Sequence, residues 1–445
     1  GMKGDYAIYS EEYTDLRDRV KITGGNVGSL NYLELGCDDT IHGTALSKGN
    51  IFLRERARIY GDVTSGQVLS KQNSVHIQGS SRNYAKMELP VLPTPSVNIG
   101  VLNIPVSPGG SYTLVPGAYN SFHAHANVSL TIQPGEYSFR EFILETNVSV
   151  LLNVGSGDFI DLKVRDNCSI GNGTTMSLPA GVTSPFALSI HSAQASQLNV
   201  GTGVTIKGLI YAPDAEVHVY SGTTVAGSIY GRRVIVEPNV TVCKPPSLLG
   251  LSHSEGAMAP PFDPMVFKYI AVVPDATATI IVTPIIRAGQ SVTVNGNSPS
   301  DPVNLSGTET DIVMMLTYPE ACGNTAYKLK VKRSANYSIY VDPNSSCTPG
   351  TENGTAWSTA FKNLQTAIDS AAAKGMELWL REGTYIPTTR INPSDPRSAT
   401  FLVPSGTEIK GGFLGTETDD VPLGSAYETI LSGDVNSDDT NSTTW

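Results

Sequence analysis

Apolar residues recur along the first half of the chain at an even interval of 18 to 20. In "VKITGG", "TIHGTA", "RIYGDV" and "HIQGSS" the isoleucines 22, 41, 59 and 77 each precede a glycine by two places: Gly24, Gly43, Gly61 and Gly79. Leu33, Ile51 and Leu69 form a second column at the same interval. Two columns advancing at one period predict strands that coil on themselves and stack like residues in successive turns. "VPGAY" (115–119) and "QPGEY" (133–137) continue the stack. "IKGLIYAPDAEVHV" is answered by "VAGSIYGRRVIV", with Ile206, Gly208, Ile210 and Tyr211 matched by Val225, Gly227, Ile229 and Tyr230. A propeller blade needs about 40–50 residues per repeat, which this interval excludes. The pattern predicts a parallel β-helix over residues 1–245, of open handedness, interrupted by a loop near 80–110.

"NVSL", "NVSV" and "NCSI" place Asn127, Asn147 and Asn167 at steps of 20. Asparagine tolerates left-handed turn geometry, and stacked amides can bond along a fibre-like axis. The three are expected to form a turn ladder. Tyr211 and Tyr230 hold equivalent positions on adjacent coils. Outward, they would make an aromatic track for sugar rings; inward, they would be core, which their Ile-Tyr strand end favours.

Beyond residue 245 the rhythm changes. The Pro-, Gly- and Ser-rich stretch 246–261 predicts a linker. Alternating strands in "TATIIVTP", "QSVTVNG", "DIVMMLTY" and "YKLKVKR" predict a small antiparallel β-sandwich over 262–333. Phe361, Leu364, Ile368 and Ala371 fall on one helical face, Gly375 reads as the cap that ends it, and strands follow at "MELWL", "EIKGGF" and "TILSGD". The fold class expected is all-β: a solenoid, a sandwich, and a partial second β-helix with a capping helix.

Three resemblances attach to these segments. "TIHGTALSKGNIFL" and "LIYAPDAEVHVYSGTTVAGSIYGRRVIVEPNVTV" resemble β-helical passenger modules of bacterial surface proteins, which implies an exported structural module. "FDPMVFKYIAVVPDATATIIVTP", "GQSVTVNG" and "AYKLKVKR" resemble the bacterial cadherin-like β-sandwich domain, a spacer or adhesive module. The calcium-site sequences of true cadherins are lacking. Residues 336–445 are similar to the start of right-handed β-helix proteins of the pectate-lyase-like superfamily, where a helix caps the first coil and "GTY", "GGF" and "ILSGD" end early strands. Catalytic and calcium-binding residues of lyases there lie on later coils, so the resemblance transfers none.

Composition narrows the partners. A net charge of −11 offers no basic face for nucleic acid. No apolar run approaches the roughly 18–20 residues that cross a bilayer. The opening "GM" reads as a scar that replaces a native leader. Five cysteines without a CxxC pair exclude a zinc ribbon and predict mostly buried free thiols, with at most one disulfide, Cys322–Cys347.

Candidate chemistry is sparse. His123-Ala-His125 puts two imidazoles on one strand face, half a metal site, but no third ligand lies close in sequence. His191 shares the column of Tyr211 and Tyr230 and reads as a rim residue. "DVNSDDT" (434–440) resembles half a calcium loop, yet Trp445 stands where the bidentate Glu belongs. No cofactor or metal is expected. The sequence predicts a non-enzymatic, exported surface protein for adhesion or scaffolding, whose partner is an extracellular glycan or protein. The alternative is a carbohydrate-active enzyme whose catalytic coils lie beyond residue 445.

Overall fold

The computed structural model describes residues 3–435, apart from 156, 183–184, 320–321, 349 and 418–426. The chain is all-β and divides into two compact units. The first comprises 1–249, 285–296 and 313–327; the second comprises 250–284, 297–312 and 328–445.

Among the described residues the first unit holds a 26-stranded sheet of parallel pairings. The expected isoleucine column is present: Ile22 pairs with Ile41, Ile41 with Ile59, and Ile59 with Ile77. Leu33, Ile51 and Leu69 stack in the same way. The glycines two places on are fixed by crowding. A Cβ on Gly43 would stand 2.1 Å from the Gly25 carbonyl oxygen, and one on Gly61 would stand 2.6 Å from that of Gly43. Only glycine lets the backbone of one rung sit that close to the next.

Each rung turns through one left-handed residue at the same corner. In spatial order these are Gly109, Asn127, Asn147, Gly173, Gly203, Gly222, Asn239, Arg19, Asp38, Arg56 and Ser74. From Gly109 to Arg56, each N–H donates to the carbonyl just before the next left-handed residue, at 2.8 to 3.4 Å. Asn127 and Asn147 belong to this ladder, as their repeated phrase predicts. Asn167 does not: it lies within the strand Ile160–Ile170, paired with Glu141, and Gly173 takes the corner instead. An inserted run had shifted the corner, while the tripeptide phrase kept its interval by coincidence.

The line passes from Asn239 to Arg19, so spatial order departs from chain order. The strand Thr224–Val236 pairs with Tyr6–Leu16, and Thr241–Cys243 pairs with Lys21–Thr23. One inward column runs unbroken through Ser81, Val63, Ala45, Val27, Ile8, Ile229, Ile210, Ile190, Leu162, Tyr137 and Gly117. The strand Tyr6–Leu16 therefore lies mid-stack; from it the rungs build to one end at Ser81 and resume at the other end near residue 103. Residues 83–102 form no strand and make the return. Ten steps at about 4.8 Å separate Ser81 from Gly117 by about 48 Å. Twenty residues in extended, polyproline-like backbone at about 3.1 Å each span about 60 Å, which suffices.

This return segment is tied down along its way. Tyr9 Oη donates to Pro90 O at 2.6 Å, Leu92 N to Glu11 Oε1 at 2.6 Å, and Tyr211 Oη to Pro93 O at 2.8 Å. Thr94 Oγ1 donates to Asp214 Oδ2 at 2.7 Å. Prolines suit it because they lack an N–H to satisfy while their carbonyls still accept.

The stretch expected as a linker carries structure instead. It contains the strands Gly250–His253 and Met258–Ala259 and the buried side chains Leu248, Leu251, Ala257 and Met258. Strands this short show no periodicity to read. The disulfide expectation is also corrected. Cys243 bonds Cys322, while Cys37, Cys168 and Cys347 are free. The partners are 79 residues apart, and only the fold brings them together.

Strand direction within 262–333 departs from the antiparallel expectation. Ser291–Val294 runs antiparallel to Glu309–Thr317, and Thr279–Ile280 antiparallel to Val303–Asn304. Lys268–Pro274 pairs parallel with the end of Thr325–Ser334, Tyr269 opposite Leu329 and Ala271 opposite Val331. Side-chain alternation is the same for either direction, so the sequence cannot encode it. The long intervening chain supplies the crossover.

In the second unit the helix Leu364–Lys374 is capped by Asn363, whose side chain accepts from Thr366 N, and by Gly375 at φ 67°. Leu364, Ala367, Ile368 and Ala371 are buried against Ile339, Leu378 and Leu380. Ser338–Val341, Glu377–Arg381 and Ile409–Phe413 form a parallel three-stranded sheet. "REGTY" here and the two earlier phrases "VPGAY" and "QPGEY" use one device. Tyr119, Tyr137 and Tyr385 each donate to the carbonyl four residues upstream, at 2.6, 2.6 and 2.9 Å.

The corner ladder sets a stability test. Asn147→Ala is expected to lower the unfolding free energy by about 1 kcal/mol, because alanine lacks the short polar side chain whose local hydrogen bonding lets asparagine adopt the left-handed conformation. Asn147→Gly is expected to change it little. Urea denaturation of both variants measures the difference.

Candidate functional site

The face made by the strands after the left-handed corner is rich in hydroxyls. Their inward residues, Leu130, Val150, Met176, Ile206, Val225 and Val242, are core. The outward column pairs Ser111, Ser129, Ser149, Thr175, Thr205, Thr224 and Thr241 in succession. All but the half-buried Thr205 and Thr241 are exposed. A second column two residues on holds Thr113, Thr131, Leu151 and Ser177. Neutral donors and acceptors thus repeat at about 4.8 Å along the stack. The periodic hydrophobic columns in the sequence imply this face, and the hydroxyl residues that alternate with them supply its composition.

Tyr211 and Tyr230 are brought together, with ring centroids 6.1 Å apart, and Tyr9 continues the row 6.2 Å beyond Tyr230. They are 8% and 0% exposed. The aromatic track is corrected: Tyr211 donates to the return segment at Pro93 O, and Tyr230 Oη donates to Tyr6 O at 3.1 Å, so neither ring face meets solvent. The covering segment is remote in sequence, and no local signal announces it. His191 pairs with Tyr211 in register and is half-buried, as a rim residue is.

At another corner the structure supplies what the sequence lacked. His123 Nε2 and His125 Nδ1 lie 2.9 and 3.0 Å from the same oxygen, Glu145 Oε1, and their rings stack at 4.2 Å. Glu145 sits on the next rung, since Ala124 pairs with Leu144. Its other oxygen accepts from Ala126 N at 3.0 Å. The hydrogen bond from His123, then that from His125, holds its carboxyl below the usual range.

A cleft of about 690 Å³ is lined by Asp5, Asn26, His42, Lys244, Arg287, Gln290 and Tyr318, among others. Lys244 follows Cys243 where the stacked rung has Gly24, so its side chain turns inward over Gly25. Nζ donates to Pro245 O at 2.8 Å and Ser247 Oγ at 3.3 Å, and Ser247 in turn donates to Gly4 O at 2.7 Å. These bonds fasten the chain where it leaves the stack. Burial pushes the Lys244 amine down to about 7, opposed by Asp5 and aided by Arg287. In the second unit, the buried Glu377 pairs with Lys410 at 2.9 Å, and Asp342 with Arg381 at 2.9 Å. Both carboxylates are engaged. The half calcium loop lies, from Asn436 onward, outside the described residues.

These features define an all-β protein with a hydroxyl-lined stacked sheet and without a helix long and apolar enough to cross a membrane among the described residues. Residues 239–334 match the cadherin-like β-sandwich domain family. No curated protein matches the chain. Among solved structures, an ice-binding protein from the Antarctic ascomycete Antarctomyces psychrotrophicus is similar at 10% identity, with 54% of this chain and 94% of that one covered and a TM-score of 0.27. At that score the likeness supports no inference for this chain.

Lys244 gives a pH prediction. Between about pH 7 and the ordinary lysine value near 10.4, only the unfolded chain binds the proton. Unfolding free energy should therefore rise with pH across that window. Lys244→Met should flatten the rise in urea titrations at successive pH values.

Proposed function

We propose that this chain belongs to an exported surface protein that binds extended polymers, glycans foremost, as a scaffold or adhesin and without catalysis. Residues 1–245 act as a parallel β-helix, the cadherin-like domain as a spacer, and residues 336–445 as the capped start of a pectate-lyase-like β-helix. The observation that carries the reading is the hydroxyl column from Ser111 to Thr241, with its fixed spacing and neutral chemistry. A polymer chain running along the stack meets the same donor and acceptor at each step, so modest contacts add over its length. The Cys243–Cys322 disulfide supports an oxidising compartment. The helix packed on the parallel strands 338–341, 377–381 and 409–413 supports the capped-helix reading of the last segment.

Co-sedimentation with insoluble polysaccharides tests this. Wild type should be retained on at least one polymer with little dependence on salt, since the column carries no charge. A Ser149→Lys, Thr175→Lys double variant should lose about tenfold in affinity, the loss of about 1.4 kcal/mol. Equal retention of both proteins would remove the face from consideration. The same samples should release no ultraviolet-absorbing unsaturated sugars from polygalacturonate or alginate, and reproducible release would overturn the non-catalytic reading.

A further inference from the structure

We propose that His123, His125 and Glu145 bind a divalent transition-metal ion, zinc foremost, at the edge of the stacked sheet. Three donor atoms, Nε2 of His123, Nδ1 of His125 and a carboxylate oxygen of Glu145, all lie within 4.8 Å of one another. Two imidazole nitrogens and one carboxylate oxygen with room for a further ligand is a donor set suited to zinc, nickel or copper.

The geometry comes from two independent features of the fold. Spacing i, i+2 on the strand Ser121–Ala124 and its extension sends both imidazoles to one face. The parallel register then sets Glu145 one rung away, directly beyond His125. Tetrahedral zinc with bonds of about 2.0–2.1 Å holds its ligand atoms about 3.3 Å apart. The carboxylate oxygen stands 2.9 and 3.0 Å from the two nitrogens, within a few tenths of an ångström of that spacing. Ala126 N, bonded to the other carboxylate oxygen, fixes the direction in which Glu145 presents Oε1.

A second histidine–glutamate pair shows what a purely structural arrangement looks like here. His218 Nε2 lies 2.8 Å from Glu237 Oε1, also one rung apart. That oxygen is shared with Arg17 Nη1 at 2.8 Å, a permanent cation that occupies the third position. At Glu145 the third position is another imidazole, and no lysine or arginine pairs with that carboxylate among the described residues. An imidazole nitrogen can ligate a metal through its lone pair, whereas an always-protonated guanidinium cannot. All three side chains are a little over one-third exposed, so an ion can reach them.

Calorimetric titration of the untagged full chain with zinc chloride tests the site, with the absorption spectrum of bound cobalt(II) reporting its coordination. One equivalent should bind reversibly to chelator. His123→Ala and Glu145→Gln should each weaken binding about tenfold or more, with unchanged circular dichroism. His76→Ala, an exposed histidine elsewhere on the stack, should bind as wild type does. His125→Gln gives a third reading should either variant misfold. Wild-type affinity no greater than that of His123→Ala and Glu145→Gln, or no zinc binding by wild type, would overturn the assignment.

Discussion

One backbone bond, repeated, sustains the first unit: the N–H of a left-handed corner residue donates to the carbonyl that precedes the next such corner. It recurs from Gly109 to Arg56 without a gap. Because it joins fixed points on successive rungs, it sets the pitch and keeps every inward column in register. The steps between corners range from 17 residues, Gly222 to Asn239, to 30, Gly173 to Gly203. Extra residues are absorbed elsewhere in the rung, so the repeat survives in space where it lapses in sequence. Burial of the aligned aliphatic columns supplies the driving force, and the corner bond determines which alignment is reached.

The same ladder explains how the early strand Tyr6–Leu16 can sit in the middle of the stack without a fault. Asn239 donates to Asp18 O as Asp38 donates to Glu55 O, at 3.2 and 3.1 Å. The junction between the two arms of the chain is thus bonded like any other rung. Its cost falls on the return segment, 83–102, which must run back along the stack with few strand bonds of its own. Tyrosine hydroxyls and proline carbonyls meet that requirement, and the tyrosine row becomes core as a result. An aromatic face that would otherwise be open to a ligand is committed to holding the strap.

The hydroxyl face and the corner that carries His123, His125 and Glu145 are open to solvent. Their positions follow from the stacking, since parallel register turns any residue pattern into a straight row. A row of neutral hydroxyls suits a long, regular partner. A cluster of imidazoles and one carboxylate suits a small, hard-won ligand at a single point. The two features lie on different strands of the same rungs, and neither disturbs the inward columns on which the fold rests.

The residues alone determined the local grammar. Ile22, Ile41, Ile59 and Ile77 with their glycines revealed the stack, Asn127 and Asn147 the corner, and Leu364, Ile368 and Gly375 the helix and its end. Each of these depends on neighbours within one turn or one repeat. Tertiary structure decided everything that joins distant chain: the pairing of Tyr6–Leu16 with Thr224–Val236, the Cys243–Cys322 bond, the parallel direction of Lys268–Pro274, and the burial of Tyr211 and Tyr230. It also added Glu145 to two histidines that looked like half a site. The physical reason is that periodicity records which face of a strand is apolar. It carries no information on which strand lies alongside, in which direction it runs, or what passes over it.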